Sequence, residues 1–279
     1  LKLLWPKMED PLVARSGDGA TPTTSAGLYL GCIPCEKLLI WRAEGSDRTL
    51  WKSFCSVCLL AQLSYYVYLV QESPVLISFG VFTLAKFLVE TWGQDTPNWI
   101  CPGGIVLFLV IYVLIIPGII YSNGVCTQNQ DIFFPYREEA GAALFYGGSL
   151  YALCYEVNRF KWKKLPENRG RLHTVGLAEL CVHPNYFADM FTYSGWAVAA
   201  GTTCALSVPV FMVWSFVVFV CPNSDAYLAQ RYAGQWEAYA AKTATLIPGL
   251  RSVWLNQALG WVSFCVGGYL SAACAGQCG

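Results

Sequence analysis

Between positions 156 and 189 the chain runs from Glu156 and Asn158, through six Lys/Arg side chains, to His183-Pro184-Asn185-Tyr186. These residue types can hold an anionic cofactor. Guanidinium and ammonium groups meet phosphate, Asn185 donates and accepts at once, Tyr186 offers a hydroxyl and a ring face, and His183 brings an imidazole that can donate or accept. Each feature also has a plainer reading. His183-Pro184-Asn185 can simply cap the segment that follows, with Pro184 where a helix start tolerates it. The basic residues at 159, 161, 163, 164, 169 and 171 can anchor the chain to anionic lipid.

A second constellation follows at Ser224-Asp225-Ala226-Tyr227 and Gln230-Arg231-Tyr232-Ala233-Gly234-Gln235-Trp236-Glu237-Ala238-Tyr239. The spacing of Arg231, Gln235 and Tyr239 predicts one shared helical face, although the Tyr and Trp residues would equally suit an interfacial aromatic belt. In the apolar half, Lys86 and Glu90 are spaced to pair with each other on a helix. An unpaired charge there would be costly, which favours the pairing; the pair can be purely structural, or Glu90 can take a direct role. Tyr65, Tyr66 and Tyr68 place further hydroxyls in the same half.

The elements that must position these groups are apolar. Hydrophobic residues make up 55% of the chain and charged ones 13%, with a mean hydropathy of +0.42. That balance, with long apolar runs, predicts an all-α, polytopic membrane helical bundle of about seven transmembrane helices. The runs lie near Phe54–Val70, Val75–Val89, Gly104–Tyr121, Ala140–Cys154, Tyr186–Leu206, Val208–Val220 and Trp254–Ala273. This arrangement puts sixteen of eighteen Lys/Arg on one side, all but Lys86 and Arg137. By the positive-inside rule that is the cytosolic face or its equivalent in an endoplasmic reticulum or organellar membrane, where soluble nucleotides are found. A net charge of zero gives no reason to expect a nucleic-acid partner.

Four regions are expected: an extended surface arm over 1–50, N-terminal transmembrane helices over 51–130, a domain with cofactor loops over 131–253, and a last helix and tail over 254–279. The arm is rich in Gly, Thr, Ser and Pro with little to bury, and is suited to gripping neighbouring membrane subunits. The sequence begins at Leu1, as a processed or trimmed product would. Among thirteen cysteines, Cys32/Cys35 and Cys55/Cys58 have zinc-like spacing. Cys55 and Cys58 fall in an apolar run where a thiol serves as a small hydrophobe, and no metal site is assigned.

The ordered combination Glu156-x-Asn158, Pro166-Glu167-Asn168-Arg169-Gly170, Gly176-Leu177, His183-Pro184-Asn185-Tyr186, Asp189, Arg231-Tyr232-x-Gly234-x-Trp236-x-x-Tyr239 and Ile247-Pro248 resembles the C-terminal half of the steroid 5-alpha-reductase-like membrane proteins. It is also similar to the sterol double-bond reductases. The resemblance covers roughly 150–250 and does not extend to 1–130. It implies NADPH held by the C-terminal loops and a flat hydrophobic lipid substrate entering from the membrane. Carried over by position, Glu156, Asn158, His183, Asn185, Tyr186, Tyr232 and Tyr239 would contact the cofactor, and Arg169 or Arg171 its adenosine phosphate. The acid that polarises a carbonyl or protonates carbon would come from Glu90, Tyr65 or Tyr66.

Three positions depart from that pattern: Val182 stands where the family has arginine, Glu156 where it has aspartate, and Asp189 where it has glutamate. The implied activity is an NADPH-dependent reduction of a C=C bond in a steroid, sterol, enoyl-lipid or polyprenoid. Two alternatives come with it. Isoprenylcysteine and phospholipid methyltransferases share the His-Pro-x-Tyr layout and use S-adenosylmethionine, while the loss of the arginine suits a degenerate member kept as a structural subunit of a larger membrane complex.

Overall fold

The computed structural model describes residues 29–30, 33–34, 46–93, 135–202 and 205–277. Their regular structure is helical apart from a two-residue antiparallel pairing of Tyr29–Leu30 with Ile33–Pro34. Helix α1 spans Ser46–Leu69 and so begins inside the region expected to be arm. Helix α2 spans Pro74–Leu88. Its start is set by Ser73, whose Oγ accepts from the Leu76 N–H at 3.3 Å, and by Pro74 in the first turn. It continues as a π-helical turn over Val89–Gly93.

Helix α3, Arg137–Lys164, carries Glu138 and Glu139 in its first turn and Lys161, Lys163 and Lys164 in its last, each sign matching the helix dipole. It ends because Leu165 precedes Pro166 and takes an extended backbone. Helix α4 spans Pro184–Ala200 and is closed by Gly201 at φ 72°. Helices α5 (Ser207–Ser215) and α6 (Cys221–Arg231) are joined by a π-helical turn over Phe216–Val220. Pro222 lacks the N–H that would bond to the turn before it, and the widened register absorbs the mismatch. A short α7, Trp236–Ala240, and α8, Val253–Gln277, complete the order.

The tightest packing is between α3 and α4, which run antiparallel with glycines at the contact. A Cβ on Gly148 would lie 2.6 Å from the Ala188 carbonyl, and one on Gly195 would fall on the Phe145 backbone nitrogen. Against this pair sits an aromatic core. Phe79 of α2 stacks on Phe145 of α3 at 4.0 Å, and Trp196 of α4 meets both edge-on. The Trp196 indole N–H donates to the Tyr66 hydroxyl, which donates in turn to the Leu76 carbonyl, both at 2.8 Å. One buried chain of hydrogen bonds thereby ties α1, α2 and α4 together.

Two expectations change here. Among the described residues, only Pro74–Gly93 and Ser207–Arg231 are helices long and apolar enough to cross a bilayer by length and composition. The structure is thus all-α without establishing seven spans, and Gly104–Tyr121 lies outside the described residues. Arg231, Gln235 and Tyr239 do not share a helical face, because the helix breaks at Tyr232–Gln235 with Gly234 at φ 82°. The zinc-like set also lies outside the described side chains except for Cys58, a free thiol.

Candidate functional site

The α3–α4 connection and the chain between α6 and α8 fold onto each other as one polar unit. The Val182 N–H donates to the Ala244 carbonyl at 2.8 Å, and the His183 N–H to the Thr245 carbonyl at 3.1 Å. The Leu172 N–H donates to Gln235 Oε1 at 3.0 Å, and the Tyr239 hydroxyl to the Ala178 carbonyl at 2.6 Å. Leu172, Val182, Tyr232 and Tyr239 form the apolar centre of this unit. Val182, the position where the resembled family has arginine, therefore contributes packing rather than charge. Burial raises the Tyr239 phenol above its usual range and pushes the Cys181 thiol up to about 12, so neither ionises near neutrality.

His183 is the hinge between this unit and α4. Its side chain is buried, and Nε2 lies 2.8 Å from Asp225 Oδ1 on α6. Its ring stacks on Tyr186 at 5.2 Å, Tyr186 stacks on Phe216 at 5.0 Å, and the Tyr186 hydroxyl is 3.3 Å from Ser224 Oγ. His183 makes no side-chain cap, so the plain capping reading does not describe it. The next residue, Asn185, is partly exposed, and no hydrogen bond occupies its amide among the described residues.

On α3, Glu156 pairs with Arg159 at 2.9 Å, while Asn158 is exposed. Arg169 and Arg171 project from the loop as exposed cations, without a hydrogen bond or ion pair among the described residues. Donors suited to an anionic, hydrogen-bonding cofactor are thus available at one edge of the unit. His173, the second histidine, is buried with its ring between Tyr155 and Trp162, and its Nδ1 has no hydrogen-bond partner among the described residues. Burial, then the charges of Arg159 and Lys163, push its pKa down to about 4.

In the apolar half, Glu90 is buried in the π-helical turn with Lys86 Nζ 3.9 Å away. Glu90, Glu156 and Asp189 lie close enough for their charges to act on one another, which links α2 electrostatically to α3 and α4. An open groove of about 710 Å³ lined by Ser53, Ser56, Leu88, Val89 and Trp92 runs beside the same turn. Tyr65 and Tyr66 are placed elsewhere. Tyr65 is half exposed on the outside of α1, and the Tyr66 hydroxyl is spent on Leu76 and Trp196.

The structure therefore gathers His183, Tyr186, Tyr232 and Tyr239 into one unit, with Arg169 and Arg171 at its edge and Glu156 in the charge cluster beneath. Asp225, Ser224 and Gln235 belong to the site but carry no assignment from sequence. Asp225 had a signal, being one of only two acidic residues between 221 and 253.

A family model described as "Protein of unknown function (DUF1295)" matches residues 87–246. That match takes in the last two residues of α2, Glu90, Glu156 and Asp189, and the polar unit as far as Leu246. The chain is also 35% identical over 92 residues to a protein of Ustilaginoidea virens described as probable O-methyltransferase ustE. The similarity covers 33% of this chain and 32% of that protein, so it spans only a part of either. No solved structure matches.

Proposed function

The chain belongs to the DUF1295 family, and on that premise we propose that it is a membrane-embedded, NADPH-dependent reductase of a C=C bond in a hydrophobic lipid. The observation that carries the reading is the polar unit itself. Two connections are locked together by hydrogen bonds through Ala244, Thr245 and Gln235, while Arg169 and Arg171 at its edge stay unpaired among the described residues. A folded unit with uncommitted guanidiniums suits a phosphate-bearing nucleotide, because arginine meets phosphate through two parallel N–H donors.

In this assignment Arg169 and Arg171 hold the adenosine phosphate. Glu156, Asn158, His183, Asn185, Tyr186, Tyr232 and Tyr239 define the rest of the cofactor site. NADPH supplies hydride when bound. The chain's own task is to seat a flat apolar substrate and to polarise it; Glu90 takes that part, and its position in the turn beside the groove, within the influence of Glu156 and Asp189, supports the assignment. Seven membrane spans with the loops on the cytosolic side complete the assignment, and the exposed apolar faces of α1 and α8 support it.

A second reading, an S-adenosylmethionine-dependent lipid methyltransferase, is favoured by the printed name of the Ustilaginoidea virens relative. Nucleotide binding to detergent-purified protein separates the two. Saturable quenching of tryptophan fluorescence by NADPH, lost in Asn185→Ala, is the expected result. A response to S-adenosylmethionine alone would move the assignment to methyl transfer, and silence toward both would remove both enzymatic readings.

A further inference from the structure

We propose that Asp225 is a positioning residue of the cofactor site: it fixes His183 in the tautomer that leaves Nδ1 as a bare acceptor for a neutral hydrogen-bond donor of the bound nucleotide, a ribose hydroxyl or a carboxamide N–H. This rests on the nucleotide-dependent reading above and adds to it a residue and a contact chemistry.

The geometry points to this assignment in three steps. First, a carboxylate only accepts hydrogen bonds, so the 2.8 Å approach of Asp225 Oδ1 to Nε2 places the imidazole proton on Nε2. In the neutral ring Nδ1 then keeps its lone pair. It makes no cap to the start of α4 and no other hydrogen bond among the described residues. The side chain is only 6% exposed, yet Nδ1 is not among the buried side-chain atoms that lack a partner, so this acceptor stays within reach of a small group on a ligand.

Second, His183 is held in this orientation. Its backbone N–H is held by Thr245 and its carbonyl accepts from the Phe187 N–H at 3.1 Å. Its ring is stacked within 27° of the Tyr186 plane. Third, one turn of α6 holds both rings of the stack, since Ser224 meets the Tyr186 hydroxyl and the adjacent Asp225 meets His183. The Tyr239 phenol and the Cys221 thiol also feel this carboxylate, and neither supplies a positive charge. Asp225 is therefore the group that sets the imidazole, and Nδ1 is the group left for a ligand.

The chain contains two histidines, which makes the test direct. Full-length protein labelled with ¹⁵N-histidine in detergent gives two imidazole spin systems, assigned with His173→Phe. The wild type is expected to show His183 as the Nε2–H tautomer, and added NADPH to shift its Nδ1 resonance as that atom accepts a hydrogen bond. Asp225→Asn, which can accept or donate, is expected to mix the tautomers and weaken NADPH binding about tenfold. Asp225→Glu should restore both toward wild type, and it keeps the test informative if the asparagine variant does not fold.

An Nδ1–H tautomer in the wild type would overturn the proposal. So would an unchanged NADPH affinity in a variant whose tautomer has shifted. Wild-type protein that binds no NADPH removes the cofactor reading by itself. The tautomer comparison then decides separately whether Asp225 sets His183.

Discussion

Helices α3 and α4 meet with backbone and small side chains between them, whereas α1 and α8 turn large apolar side chains outward. Gly148 and Gly195 leave no space for a methyl group at the first contact. On the other side, Leu50, Val57 and Tyr68 of α1 are exposed at 69%, 63% and 69%, and Trp254 and Tyr269 of α8 at 81% and 74%. The first region is complete within the chain. The second exposes a large apolar surface among the described residues, of the kind that meets other protein or lipid. Position-critical chemistry belongs on the first, and the polar unit is built from the connection between α3 and α4 and the chain that follows α6.

The comparison breaks most severely at Gly195. Its replacement by leucine would drive a side chain into the Phe145 backbone, and overpacking of this kind costs about 3 kcal/mol or more where neither helix can yield. The variant should lose its cooperative thermal transition in detergent. A Gly195→Leu protein that melts like the wild type would show that α3 and α4 do not meet as described.

What was legible in the sequence is local. Pro184 marked the start of α4, and the Lys86–Glu90 spacing gave an ion pair that the structure contains at 3.9 Å. What could not be read depends on chain returning from far away. Asp225 meets His183 across 42 positions, and nothing in the spacing of either declares the other. Tyr66 looked available for substrate, and only the arrival of Trp196 from α4 shows its hydroxyl to be spent. The Arg231–Tyr239 face failed for a local reason that helical spacing hides: Gly234 takes a positive φ and turns the chain between the two residues.

A smaller break is available inside the polar unit. Tyr239→Phe removes a buried hydroxyl that reaches the Ala178 carbonyl at 2.6 Å and leaves that carbonyl unpaired. The loss should be about 1–3 kcal/mol in stability. Because the bond pins the loop that carries Arg171, NADPH affinity should fall with it. Unchanged affinity with lowered stability would separate the pin from the cofactor site.

The pH dependence sharpens the comparison next. His173 has a folded pKa near 4 against an ordinary value of 6.5, so the unfolded chain takes its proton first as pH falls. The stability it leaves intact above pH 6.5 is lost between 6.5 and 4 and changes no further below that. The loss should be on the order of 1–2 kcal/mol. His173→Phe keeps an aromatic ring between Tyr155 and Trp162 and cannot be protonated. Melting temperatures at pH 7 and pH 4.5 should lie closer together in this variant, and an identical difference in both proteins would mean that His173 does not carry the acid sensitivity.

The smallest effect is expected where the outward face is most exposed. Trp254 stands 81% exposed at the start of α8 and Trp261 61% exposed two turns later. Removing either should change stability in detergent by no more than about 0.5 kcal/mol, since little among the described residues packs on them. In vesicles the two should differ in how brominated acyl chains quench the remaining signal. A ring seated in the hydrocarbon loses its share of quenching when replaced by alanine, and one facing water does not. Trp261→Ala should therefore lower the quenchable fraction. A fall of several degrees in detergent melting for either variant would mean that this face packs against protein, and the contrast with α3 and α4 would then be between two protein contacts rather than between protein and lipid.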